Sequence, residues 1–261
     1  MNDSIEISTV LTTLALGVPR MLAVFLILPF MGENVLSGPL KGYVAFGLTL
    51  VAMPLVFFQL PEGGVDNTQL LLLLPKEMFI GLTFGFVTGL PFWAAAQLGK
   101  LLDLQRGAMA ASMFTPVLPD QTTPLGNVFS QAAIVLVFVT GGFLFILKGI
   151  YISYEIWPVT SFAPVITPMG AERMAALFGQ LMFWTLVLAA PFIIVIFTVD
   201  LVMGLLNRFI PEINVFFLAM PFKGLAVMSV LVVYMGTMTD FLQTQYISGE
   251  AWFNLIRDVM R

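Results

Sequence analysis

Met78–Gly99 reads MFIGLTFGFVTGLPFWAAAQLG, with no charged residue inside it and Pro75-Lys76-Glu77 just before it. About 20 apolar residues, rising about 1.5 Å each, carry a helix across a hydrocarbon layer of about 30 Å. The run shows none of the alternation of a half-buried strand. A helix also satisfies its own backbone groups, whereas an open sheet in lipid leaves an edge unpaired. The stretch therefore reads as a membrane helix, and the chain on either side repeats the pattern.

Upstream, Gly42–Pro61 is uncharged, and Ile7–Met31 is apolar except for Arg20, with breaks at Pro19 and Pro29. Downstream come Leu125–Leu147, Met174–Val199 with Pro191 inside it, and Ile213–Thr239 with Pro221 and Lys223. A polar Gly-rich stretch, Pro61–Asn67, an irregular region, Lys100–Pro124, and a Pro-rich connection, Trp157–Pro168, separate the runs. Proline removes an N–H and clashes with the preceding turn, so kinked helices are expected. The fold class is all-α: membrane-associated helical hairpins with kinked and broken hydrophobic helices, in one domain over residues 1–261 with no soluble domain appended.

Composition agrees. Of 261 residues, 59% are hydrophobic and 10% charged, against about 25% charged in soluble domains. Met1–Thr9 carries Asp3 and Glu6 but no Lys or Arg, so it lacks the basic start of a signal peptide, and the first segment is expected to be retained. Lys76, Lys148, Arg173, Arg257 and Arg261 fall on the side of the N-terminus, and Lys41, Lys100, Arg106 and Arg208 fall opposite. Such an even split encodes orientation weakly, or else the segments do not all cross the bilayer.

The same inventory excludes whole function classes. Net charge is −4 and no basic block exists, so nucleic acid is not an expected partner. The chain has no Cys and no His. That removes thiol nucleophiles, most zinc sites, Ser–His proteases and H-E-x-x-H metalloproteases. No catalytic, cofactor-binding or metal-binding residue is assigned, and an enzyme is not expected.

Four features remain. Gly81, Gly85 and Gly89 recur at i, i+4 and i+8 and form a helix-packing seam, either between subunits or within this chain. Asp103–Pro124 reads DLQRGAMAASMFTPVLPDQTTP. It is too apolar for an exposed loop and too broken to span lipid, so it lines or blocks a conduit, or is buried between helices. Arg20, Glu77, Asp200 and Lys223 are ionisable groups in or beside apolar runs. Arg20 and Lys223 could pair with Glu77 or Asp200, or the set could serve an ion path. Finally, Trp252, Leu255, Ile256 and Val259 give the tail an amphipathic face.

The run Leu205–Lys223, LLNRFIPEINVFFLAMPFK, resembles the signature of the T-subunit family of bacterial type III secretion export gates, homologous to the flagellar R protein. Pro19-Arg20, Lys76-Glu77 with Ile80-Gly81-Leu82, and Gly99–Gln105 agree with it in order and spacing. Gln105-Arg106-Gly107-Ala108 and Trp157-Pro158-Val159 look more like the virulence-secretion branch than the flagellar one. The resemblance implies a structural subunit, present once beside about five R-type and about four S-type subunits in a helical assembly. That assembly would be the entrance portal for unfolded secreted proteins. Further implied partners are a U-type switch protein, inner-rod or needle-adaptor proteins, and membrane lipid. The resemblance implies an inner-membrane location, with much of the assembled subunit at or above the periplasmic face. It also implies an R-like part over about residues 1–185, followed by an S-like hairpin and tail over about 186–261.

Residue by residue, the resemblance marks Gln105, Arg106, Gly107, Ala108, Met109, Met113, Phe114 and Pro116 as the plug loop of the channel. The signature residues Asn207, Arg208, Pro211, Asn214, Pro221 and Lys223 are expected around the bend between the last two long segments. A multi-pass solute or ion transporter is the alternative expectation.

Overall fold

The computed structural model describes residues 2–31, 38–61, 65–107, 123–162, 168–212 and 214–247. Every regular element among them is helical: α1 (Asn2–Ile27), a 3-10 turn (Pro29–Met31), α2 (Gly38–Phe57), α3 (Asn67–Gln105), α4 (Pro124–Val139), α5 (Gly142–Ile156), α6 (Pro168–Phe209) and α7 (Val215–Ile247). Five of these are long and apolar enough to cross a membrane, and α4 with α5 makes a sixth if the pair counts as one broken span.

Several expected boundaries are corrected. The irregular region does not begin at Lys100, because α3 runs on to Gln105. Its 39 residues extend about 58 Å, nearly twice the hydrocarbon thickness. Pro75 and Pro91 stand inside α3, as Pro19 does in α1, Pro191 in α6 and Pro221 in α7. In a long apolar helix each proline removes one N–H without ending the element. The run Leu125–Leu147 is not one helix: it breaks at Thr140-Gly141, where Gly141 has φ +79°, a conformation in which glycine suffers no Cβ clash. The amphipathic tail lies outside the described residues.

The chain forms two compact units that interleave in sequence. The first comprises residues 1–90, 141–177 and 246–261. Within it, α1 packs on α2 and on the first half of α3. A Cβ added at Gly17 would stand 2.7 Å from Thr49 Cγ2, and one at Gly81 would stand 2.7 Å from Ala23 Cβ and run into the Arg20 carbonyl. At Gly85 an added Cβ would lie 3.1 Å from Val24 Cα. The Gly81–Gly85 part of the seam therefore lets the α1 backbone approach α3 inside this chain. Hydroxyls in the helices are satisfied locally: Thr49 Oγ1 donates to Ala45 O at 2.7 Å and Thr88 Oγ1 to Phe84 O at 2.8 Å, as a medium without water requires.

The second unit comprises residues 91–140 and 178–245. Its core stacks rings edge to face, Phe129 on Phe192 at 5.4 Å and Phe192 on Tyr234 at 5.5 Å, a geometry aromatic quadrupoles favour. Outside this core, Phe183, Ile194, Phe197, Val232 and Val233 are exposed, as helices facing lipid or a protein partner are.

Candidate functional site

Helix α3 ends where its sequence provides a stop. Gly107 takes φ +81° and its N–H bonds Leu104 O at 3.1 Å, the left-handed closure that glycine supplies past a helix end. The next described residue is Thr123, and α4 starts at Pro124. Pro124 has no N–H, and the Thr123 side chain makes no capping bond. The N–H groups of Leu125 and Gly126 still need acceptors. Asp103, one turn before the end of α3, supplies them: its Oδ2 accepts from Leu125 N at 2.9 Å and from Gly126 N at 3.2 Å. A buried carboxylate on a helix N-terminus is favoured by the bonds and by the helix dipole. The other oxygen, Oδ1, lies 2.7 Å from Arg106 Nη2.

Arg106, near the end of α3, and Leu125 and Gly126, at the start of α4, thus meet at one buried acid. Glycine permits the approach, since a Cβ on Gly99 would lie 2.6 Å from the Gly126 backbone.

The last two helices reach the same place. Lys223 Nζ, on α7, donates to Gln105 O at 3.3 Å and lies 2.6 Å from Asp200 Oδ1 on α6. Gln105 O is one of the carbonyls that a helix end leaves without an intrahelical partner, and a cation there is favoured. Gly224, beside Lys223, lies near the Arg106 guanidinium, whose Nη1 would be in ordinary contact, at 3.6 Å, with a Cβ at that position. Lys223 and Gln105, far apart in sequence, are therefore brought together, with Arg106 and Gly107 at the same base. Ala108, Met109, Met113, Phe114 and Pro116 lie outside the described residues.

The other signature residues do not converge on this base. Asn207 and Arg208 sit exposed in the last turn of α6, Pro211 in the exposed turn that follows, Asn214 just before α7, and Pro221 exposed within α7. In the last of these positions the helix continues, and the described residues between α6 and α7 are Ile210, Pro211, Glu212 and Asn214.

The first unit holds a separate buried charge cluster. Arg20 Nε donates to Glu77 Oε2 at 2.6 Å, Nη1 to Ser153 Oγ at 3.2 Å and Nη2 to Trp157 O at 3.0 Å. Its guanidinium carbon sits 4.1 Å from the centre of the Tyr154 ring, within cation–π range. Tyr154 in turn donates its hydroxyl to Gly17 O at 2.8 Å. Lys76 Nζ lies 2.6 Å from Glu77 Oε1 and donates to the carbonyls of Pro158, Val159 and Ser161 at 3.0–3.1 Å. One carboxylate faces two cations, and four backbone carbonyls of the 157–161 turn take up the surplus positive charge. The pairing left open by the sequence is resolved: Arg20 with Glu77, Lys223 with Asp200. Among the described residues these contacts join helices and form no continuous file of titratable groups. Asp103, Tyr154 and the 157–161 carbonyls escaped sequence reasoning. For Asp103 the available signal was an acid one turn before an Arg-Gly helix stop; backbone carbonyls leave no such signal.

Comparison with known proteins supplies the family. The profile of the family described as "Bacterial export proteins, family 1" matches residues 11–248. The chain is 39% identical over 225 residues to Yop proteins translocation protein T of Yersinia pestis, covering 86% of each chain. It is 32% identical over 231 residues to secretion system apparatus protein SsaT of Salmonella typhimurium, covering 87% of this chain and 88% of the relative. It is 29% identical over 239 residues to surface presentation of antigens protein SpaR of Shigella sonnei, covering 90% and 89%.

Proposed function

The chain belongs to the bacterial export proteins, family 1, and from that premise we propose that it is the single T-type subunit of a type III secretion export gate, with its loop of about Gln105–Pro116 as the channel plug. Its coarse role is that of a membrane component of the secretion export apparatus. The finer reading gives it R-type and S-type subunits as neighbours and unfolded proteins as cargo. It performs no group transfer. Its long helices α3 and α6 exceed the hydrocarbon thickness, and the proposed reading puts the excess at or above the periplasmic face. The R-like part would end within α6, and the S-like hairpin would be the remainder of α6 with α7. The transporter alternative gives way to the family assignment.

One observation carries the plug reading: Asp103 holds residues on both sides of the 108–122 segment, Arg106 before it and Leu125 and Gly126 after it. That clasp keeps the end of α3 against the start of α4 whatever the segment between them does. The loop's small residues and methionines can seal around varied shapes at little cost. The test deletes Ala108–Thr115 in the co-expressed gate. Assembly should persist while membranes become leaky to small ions; an assembled, impermeable deletion gate would refute the plug.

A further inference from the structure

Pro158 stands where α5 would need its next donor. Tyr154 O would accept from the N–H four residues on, and proline has none. Gln59, in the turn after α2, fills the gap. Its Nε2 donates to Tyr154 O at 2.9 Å, and its Oε1 accepts from Val159 N at 3.0 Å. Arg20 and Lys76, both buried, serve the carbonyls of Trp157, Pro158, Val159 and Ser161. The turn closes on itself through Trp157 N to Ser153 O at 3.0 Å and Ser161 N to Pro158 O at 3.2 Å. Side chains from three elements therefore satisfy one irregular stretch of backbone. A surface turn has no need of them, because water bonds its carbonyls. In an apolar layer, irregular backbone persists only where protein supplies the partners.

Two placements point the same way. Phe58, next to Gln59, and Phe162, three residues past Val159, are 85% and 54% uncovered by the rest of the chain. They continue the face of α2 on which Tyr43, Phe46, Leu50 and Phe57 recur at helical spacing, also uncovered. Helix α1 supplies the depth. The Tyr154 hydroxyl bonds Gly17 O, and Arg20 reaches Trp157 O. Gly17 and Arg20 both fall in the middle third of the 21-residue apolar run Ile7–Ile27. We propose that the Trp157–Phe162 turn, and Phe58 joined to it through Gln59, lie inside the apolar layer of the membrane with the two phenyl rings against lipid acyl chains. Helix α5 then ends within the layer, not at its surface, and Gln59, Arg20 and Lys76 stand in for the water the turn lacks. This placement requires neither the plug nor any particular neighbouring subunit.

The chain has no Cys, so Phe58→Cys and Phe162→Cys each take a single nitroxide label. The labelled full-length chain is reconstituted in liposomes of phosphatidylethanolamine and phosphatidylglycerol. Electron paramagnetic resonance then reads collision with oxygen, which concentrates among acyl chains, and with a water-soluble nickel chelate. Nitroxides on the lipid headgroup and at mid-chain set the scale. Both sites should lose nickel collision and gain oxygen collision relative to the headgroup label, approaching the mid-chain one. Nickel collision at or above the headgroup level would put the turn in water and overturn the proposal. Shielding from both colliders would mean that protein, in place of lipid, covers the rings, and would overturn it as well. A second measurement needs no label. Gln59→Leu strands Tyr154 O and Val159 N where no water can replace the amide, so pulse proteolysis in the same liposomes should cleave roughly tenfold more chain. Wild-type resistance of Gln59→Leu would show that water reaches the turn, and the proposal would fall.

Discussion

Replacing Glu77 by Gln keeps the shape of the side chain and removes its charge. In the native unit, Glu77 is fully buried, and its two oxygens each lie 2.6 Å from a cation, Arg20 Nε and Lys76 Nζ. The amide would leave Arg20 with Ser153, the Trp157 carbonyl and the Tyr154 ring, and Lys76 with its three carbonyls, but neither with a counter-charge. Removing one partner of a buried pair costs about 3–5 kcal/mol, because the remaining charge stays buried. At 1.4 kcal/mol per tenfold, that raises the opened population of the first unit by roughly 10²–10⁴. Pulse proteolysis of the purified full-length protein in detergent would read this change. Arg20→Met should also be costly: Glu77 keeps Lys76, but Glu77 Oε2 and the Trp157 carbonyl lose their buried donor. Adding it to Glu77→Gln should cost less than the sum of the two, with a coupling of about 1–3 kcal/mol. Wild-type protease resistance of Glu77→Gln, or strict additivity, would show that the cluster does not brace the unit.

Other substitutions separate backbone approach from charge. Gly81→Leu should destabilise α1 against α3 by about 1–3 kcal/mol or more, read as loss of folded yield, and Gly85→Ala should matter less because its nearest neighbours stand at 3.0–3.3 Å. Asp103→Ala, which strands the Leu125 and Gly126 N–H groups, should cost about 1–2 kcal/mol in thermal denaturation, while Asp103→Asn, still an acceptor, should cost less. Gly99→Ala should clash with the Gly126 backbone and lower the yield of assembled gate.

The membrane helices were legible because their cause is local: uncharged runs such as Met78–Gly99 need no tertiary partner to declare themselves. Helix ends were less so. Lys100–Gln105 read as irregular because charges and Gly99 precede three later prolines, yet α3 persists to Gln105 and closes at Gly107, with Asp103 and Lys100 still in helix. The break at Thr140-Gly141 was hidden inside an apolar run, where a single glycine has no compositional weight. The charge pairs followed from scarcity, with few possible partners in apolar runs, but the choice among them depends on which helices are neighbours. Asp103 escaped because capping a helix that starts some twenty residues later is a tertiary relation. The apolar, Pro-broken region after Arg106 stood out for the opposite reason, since its composition suits neither water nor lipid.

Cryo-EM of the gate co-expressed with R-type and S-type subunits is the most direct test of the central claim. The expected map contains one copy of this chain in a helical hetero-oligomer, with Met109 and Met113 in the central lumen and Lys223 against the base of their loop. A homo-oligomer, or a complex in which Met109 and Met113 face lipid, would contradict it.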